Sequence, residues 1–177
     1  MNMGKEGRQV MDEIDPKFKY EVAREPGGEN IKLCFACGIC TASCPVREID
    51  ERYNPRKIIR MILLGMKKRV LENDFIWFCS SCYACTERCP QGVRFTDVMN
   101  AIKNLAVKEG YVPNAYIQQI GLLRQFGRLY EIDEFDNNKR AAMGLPKVAK
   151  AKGFTQRIME ITGIDKIIQK NINGNKS

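Results

Sequence analysis

The segment from Asn54 to Gly65 carries the clearest amphipathic pattern in the chain. Ile58, Ile59, Ile62 and Leu63 recur at helical spacing, with Arg56, Lys57 and Arg60 between them. Asn54 is a good N-cap, Pro55 suits the first helical position, and Gly65 offers a stop. A second short helix is predicted near Arg69 to Asn73. Farther on, Thr96 reads as the cap of a longer helix that presents Val98, Met99, Ile102, Leu105 and Ala106 on one face. Gly110 and Pro113 end it. Another helix is predicted from about Asn114, with Ile117, Ile120, Leu123 and Phe126 at helical spacing up to Gly127. Upstream, Lys17 to Arg24 reads as a short helix or strand, and Pro26-Gly27-Gly28 as a breaker. No segment alternates convincingly with the period of a strand. The pattern therefore predicts a mainly α fold.

The last fifty residues differ. Asp133 to Asn138 is acidic and polar, Lys147 to Lys152 is basic, and a weak apolar pattern resumes at Ile158, Ile161, Ile164, Ile167 and Ile168. This stretch reads either as a frayed charged tail or as an arm that orders against a partner and buries those isoleucines. The expected organisation is an N-terminal segment (1–30), a central helical domain (31–127) and an extended C-terminal helical arm (128–177).

The chemistry is concentrated in eight cysteines. Cys34, Cys37, Cys40 and Cys44 form one run, and Cys79, Cys82, Cys85 and Cys89 a second. Both read C-x2-C-x2-C-x3-C-P and close on Pro45 and Pro90. A shift of 45 residues superposes the cysteines and prolines, and sets Thr86 on Thr41. Three cysteines at two-residue intervals suit one face of a [4Fe–4S] cubane, with small neighbours such as Ala36, Gly38, Ser80 and Ser81 letting the backbone approach. The fourth iron needs a remote ligand, and in two-cluster proteins the last cysteine of each run crosses to the other cluster. This assigns Cys34, Cys37, Cys40 and Cys89 to one cluster, and Cys79, Cys82, Cys85 and Cys44 to the second. A disulfide framework suits small exported domains, and structural zinc leaves the third closely spaced cysteine unused.

Composition narrows the function further. With no histidine, Ser-His and Cys-His catalysis, histidine-ligated zinc and Rieske centres drop out. The formal net charge of +8 counts every cysteine as neutral. Each four-thiolate cubane would contribute roughly two to three negative charges, bringing the loaded chain closer to neutrality. The basic residues are spread along several segments without a DNA-reading motif, which argues against a nucleic-acid regulator. No apolar run approaches the ~18 residues of a membrane span, and the first thirty residues do not read as a signal peptide. A cytoplasmic location is expected. Trp77, Phe78, Tyr83 and Phe35 flank the cysteines and are expected to keep water from the clusters, to pack in the core, or both.

The segments LCFACGICTASCPV (Leu33 to Val46) and WFCSSCYACTERCPQGV (Trp77 to Val93), with the helix start Asn54-Pro55-Arg56 and the Gly144-Leu145-Pro146 stretch, resemble the iron–sulfur C subunit of the coenzyme B–coenzyme M heterodisulfide reductase. The resemblance implies an alpha-helical ferredoxin fold. It also implies a role in methanogenesis, relaying electrons from the flavin and iron–sulfur A subunit to the catalytic B subunit, which reduces the mixed disulfide. A hydrogenase or formate dehydrogenase would complete the larger complex. All eight cysteines fall in the two runs and none is adjacent to another, so no disulfide-reducing centre is expected here and no residue is assigned a catalytic role. The double motif also occurs in iron–sulfur subunits of quinone-linked succinate, fumarate, glycolate and glycerol-3-phosphate oxidoreductases, which form the second reading.

Overall fold

Ten α-helices and two 3-10 turns make up the regular structure of the described residues, with no strand among them. The computed structural model describes residues 14–149, 152–164 and 166. The mainly α expectation holds. The chain forms two compact units, one ending at Tyr111 and the other beginning at Val112.

In the first unit, α1 (Phe18–Arg24) leads into a 3-10 turn (Glu29–Leu33), then α2 (Ile39–Ala42) and α3 (Pro45–Ile49). Helices α4 (Pro55–Leu63) and α5 (Lys67–Leu71) follow, then a second 3-10 turn (Asp74–Phe78), α6 (Ala84–Glu87) and α7 (Phe95–Glu109). The predicted start of α4 is present: the Asn54 side chain accepts a hydrogen bond from Lys57 N–H, and Pro55 opens the helix. Its stop also has a physical cause. Gly65 has φ of +80°, and the Asp15 carbonyl occupies the space a Cβ would need, so only glycine fits there. The short helix expected near Arg69 to Asn73 lies two residues earlier, over Lys67–Leu71.

Helix α7 is the centre of the unit. It packs on α1, α5, α6 and both 3-10 turns. Val98, Met99, Ile102, Leu105 and Ala106 are buried on it, as their spacing predicts. Ile58, Ile59 and Ile62 of α4 and Phe18 and Val22 of α1 join the same core. Residues 18–24, the ambiguous stretch of the sequence, are thus a helix whose Phe18 and Val22 side chains are fully enclosed. Lys67 Nζ reaches Glu21 of α1 at 3.0 Å and Glu109 of α7 at 2.9 Å, tying three helices at one edge.

The second unit contains α8 (Asn114–Phe126), α9 (Glu134–Ala142) and α10 (Lys152–Thr162). Helix α8 has its expected bounds and packs on α10. Helix α9 was not expected from its polar composition. Its start is a reciprocal capping box, with the Asp133 side chain accepting from Asp136 N–H and Asp136 accepting in return from Asp133 N–H. Met159 of α10 is buried, whereas Ile158 and Ile161 stay exposed. Ile167 and Ile168 of the C-terminal pattern lie outside the described residues.

Candidate iron–sulfur centre

The internal repeat is deeper in the structure than in the sequence. Each cysteine run is preceded by a 3-10 turn and contains a short helix, and both pairs of elements keep the 45-residue offset: Glu29–Leu33 with Asp74–Phe78, and Ile39–Ala42 with Ala84–Glu87. Ile31 and Ile76, equivalent under the shift, are both fully buried and anchor the two turns. The backbone repeats as well. Ala36 and Ser81 are left-handed (φ 63° and 52°), and so are Gly38 and Tyr83 (φ 88° and 62°). These turns curl the chain around the thiols, and the Ala36 N–H donates to the Cys34 sulfur over 3.4 Å.

Helices α2 and α6 pack against each other, which brings the two runs together. A small cavity is lined by Cys34, Cys37 and Cys40 of the first run and by Cys85 and Cys89 of the second. The Tyr53 hydroxyl is paired with the Cys79 sulfur, and the Cys44 and Cys85 thiols also act on it. Cys40 and Cys85, equivalent positions, both line the cavity, and the Cys85 charge acts on Cys40. Cys37 and Cys82 are the exposed pair, and the remaining six are half-buried.

The threonines singled out by the repeat hold the framework. Thr41 Oγ1 accepts from Arg56 N–H at 2.9 Å and donates to Asn54 Oδ1 at 3.1 Å. Thr86 Oγ1 accepts from Thr96 N–H at 3.4 Å and donates to Thr96 Oγ1 at 3.2 Å. Each short cysteine helix thereby fixes the start of the long helix that follows it. Thr96 does not cap α7 as its sequence suggested; Arg94 stands at the cap position, left-handed at φ 55°. Thr96 instead lies inside, 1% exposed, with its hydroxyl 3.4 Å from the Cys85 sulfur.

The electrostatics explain what the pocket lacks on its own. Burial pushes the Cys40 thiol up to about 11, opposed by Thr41 and reinforced by the charges of Cys34, Cys85 and Cys37. Burial likewise raises Cys85, opposed by Thr96. Burial and then the bond to Cys79 hold the Tyr53 hydroxyl protonated far above its ordinary range. Clustered thiolates are stable only beside a compensating cation, which iron supplies. Among the described residues no three acidic or cysteine side chains converge on a single ion. A cubane takes its thiolates at its outer corners, and two C-x2-C-x2-C-x3-C-P runs that meet at one cavity are a donor set suited to it.

Two features escaped the sequence. Tyr53 carries no motif and reaches Cys79 only through the fold. Thr96 was legible as a polar residue at a helix start, but its inward hydroxyl was not. The flanking aromatics divide: Trp77 and Phe78 pack partly buried on the core, whereas Phe35 is 60% and Tyr83 45% exposed. Phe35 nonetheless lines the thiol cavity.

Comparison with known proteins agrees with the site. Residues 30–93 match the 4Fe–4S dicluster domain family. The chain is 32% identical over 157 residues to an iron–sulfur C subunit (numbered C 2) of the CoB–CoM heterodisulfide reductase of Methanocaldococcus jannaschii, covering 85% of this chain and 83% of that one. The chain belongs to the family of heterodisulfide reductase iron–sulfur C subunits. Another relative, the C subunit of the H2:CoB–CoM heterodisulfide,ferredoxin reductase of Methanothermobacter thermautotrophicus, is 32% identical over 89% of this chain and 88% of its own. The C2 subunit of the H2/formate:CoB–CoM heterodisulfide,ferredoxin reductase of Methanococcus maripaludis is 34% identical over 84% of each chain. The likeness to these C subunits thus runs well beyond the dicluster domain and into the second compact unit.

Proposed function

We propose that this chain is the electron-transfer subunit of a cytoplasmic heterodisulfide reductase complex of methanogenesis. It binds two [4Fe–4S] clusters and carries electrons from the flavin subunit to the catalytic subunit, where the coenzyme M–coenzyme B heterodisulfide is reduced. A hydrogenase or formate dehydrogenase completes the assembly upstream. Cys34, Cys37, Cys40 and Cys89 hold one cluster; Cys79, Cys82, Cys85 and Cys44 hold the other. When bound, the clusters supply reversible one-electron chemistry. The protein contributes their spacing, their hydrogen bonds and their partial exclusion from water.

The observation that supports this reading is that Cys34, Cys37 and Cys40 of the first run and Cys85 and Cys89 of the second line one cavity, as a crossed pair of sites would require. Two sites that share their ligands this way sit side by side, and a pair of adjacent one-electron centres is suited to conduction rather than to bond making. The names of the relatives favour the heterodisulfide system over the quinone-linked one. Among the described residues no helix is long and apolar enough to cross a membrane, and the C-terminal stretch 128–177 is assigned to contact with a partner protein of the complex.

The test is anaerobic reconstitution followed by rapid mixing. The loaded chain, reduced and mixed with the catalytic subunit, should be reoxidised only when the heterodisulfide is present. It should be re-reduced by the flavin subunit. Failure to take up cluster iron, or reoxidation by a quinone but not by the catalytic subunit, would overturn the reading.

A further inference from the structure

The exposed face of α4 and the start of α5 form a groove of about 1060 Å³, open to solvent and bounded by Arg56, Lys57, Arg60 and Arg69. Its floor is apolar, with Met61, Leu64 and Met66, and no acidic residue lines it. Several cations elsewhere in this unit have carboxylate partners: Lys67 with Glu21 and Glu109, Lys108 with Glu25, Arg94 with Asp97, Arg47 with Glu51. Among the described residues none of the four groove cations makes an ion pair. Arg56 and Arg60 are moreover one helical turn apart, where like charges repel. Counter-charge for the clusters does not account for the set, because of the four only Arg56 lines the thiol cavity. Ala36 and Arg56 border both the groove and that cavity, so whatever fills the groove abuts the first cysteine run.

We propose that this groove is the docking site of a redox partner that presents an acidic segment with apolar side chains along it, and that electrons cross between that partner and this chain at the Cys34–Cys37–Cys40 end. The proposal rests on the relay reading above and adds to it which end of the chain faces that partner. The cations would steer and orient an acidic segment, while Met61, Leu64 and Met66 give it a soft apolar seat that adapts to its side chains. Buried against carboxylates, the guanidinium groups would also gain the charge-assisted bonds they lack in the free chain.

The experiment uses the full chain loaded with iron and sulfide, titrated with the purified flavin subunit or the purified catalytic subunit in low salt and in high salt. Binding is read by anisotropy of a fluorescent label. The groove variant is Arg60→Glu with Arg69→Glu, and the charge-matched control is Lys17→Glu with Arg24→Glu, two exposed residues outside the groove. The groove variant should lose at least about tenfold in affinity for one of the two proteins at low salt and lose most of the salt dependence. The control should change less than about twofold. The milder Arg60→Gln with Arg69→Gln should fall between, and iron content and helicity should match the unsubstituted chain in every case. Equal weakening by groove and control variants, or none, overturns the docking site while leaving the relay intact. A short DNA duplex that binds through the groove, with partner affinity unchanged, overturns it in favour of a polyanion site. If the unsubstituted chain binds neither protein, the relay reading itself fails.

Discussion

The Thr96 hydroxyl lies 3.4 Å from the Cys85 sulfur and accepts a hydrogen bond from Thr86 over 3.2 Å. Because its lone pair is used by Thr86, its own proton is left for the sulfur. A donor to a cluster thiolate stabilises the reduced, more negative state more than the oxidised one. Thr96→Val keeps the shape and removes the donor. One cluster potential should therefore fall by about 40 mV, taking the difference in bond strength as ~1 kcal/mol and one electron. The other potential should stay in place. A redox titration followed by electron paramagnetic resonance measures both.

Tyr53 is the corresponding partner of Cys79. Tyr53→Phe should lower the potential of the same cluster, again on the order of 40 mV. The pair of substitutions tests the ligand assignment as well, since Cys79 and Cys85 are placed on one cluster. Shifts that fall on two different clusters would show that assignment to be wrong.

The crossing ligands make a sharper prediction. Cys89 shares its cavity with the first run, so Cys89→Ser should deplete the cluster of Cys34, Cys37 and Cys40 although the substitution lies in the second run. Iron content should drop by up to about half. Helicity should fall too, because the clusters hold α2 and α6 together. Cys44→Ala should do the same to the other cluster. Loss confined to the cluster of the substituted residue's own run would contradict the interleaved arrangement.

Tyr83 occupies the left-handed position that Gly38 fills in the first run. A bulky residue there costs about 1–2 kcal/mol in backbone strain, and its side chain is too exposed to recover much by burial. Tyr83→Gly should raise the thermal midpoint of the loaded protein by about 2–5 °C without changing its iron content, after allowing for the entropy of glycine in the unfolded chain. A fall in the midpoint would mean that the ring makes a stabilising contact that its exposure conceals.

In the C-terminal stretch, Phe154 and Ile161 are 78% and 77% exposed while Met159 is buried. If this stretch contacts a partner protein, Phe154→Ser with Ile161→Ser should weaken that complex by about 1–3 kcal/mol and leave the chain's own melting unchanged. Analytical ultracentrifugation of the mixed proteins would detect the loss. Unchanged association would assign these residues to the free surface.

The sequence alone determined the elements whose signals are local. The apolar period of α4 and α7, the Asn54-Pro55 start, and the glycine stops at Gly65 and Gly110 all depend on neighbours a few residues away. The eight cysteines were legible for the same reason, since the chemistry of a cubane fixes their spacing within each turn. Local signals were weaker for α9, where a capping box outweighs a polar composition, and for Lys17 to Arg24, where burial against α7 selects helix over strand. Tertiary structure decided what depends on distance between runs: that Cys89 and Cys34 line one cavity, that Tyr53 reaches Cys79 and that Thr96 turns inward. It also decided that Phe35 and Tyr83 face outward and that Arg60 and Arg69 border one groove. None of these is encoded at a fixed spacing. The contacts at the cysteines arise where α2 and α6 pack together and the groove where α4 meets α5, and that packing is set by the whole core rather than by any segment of it.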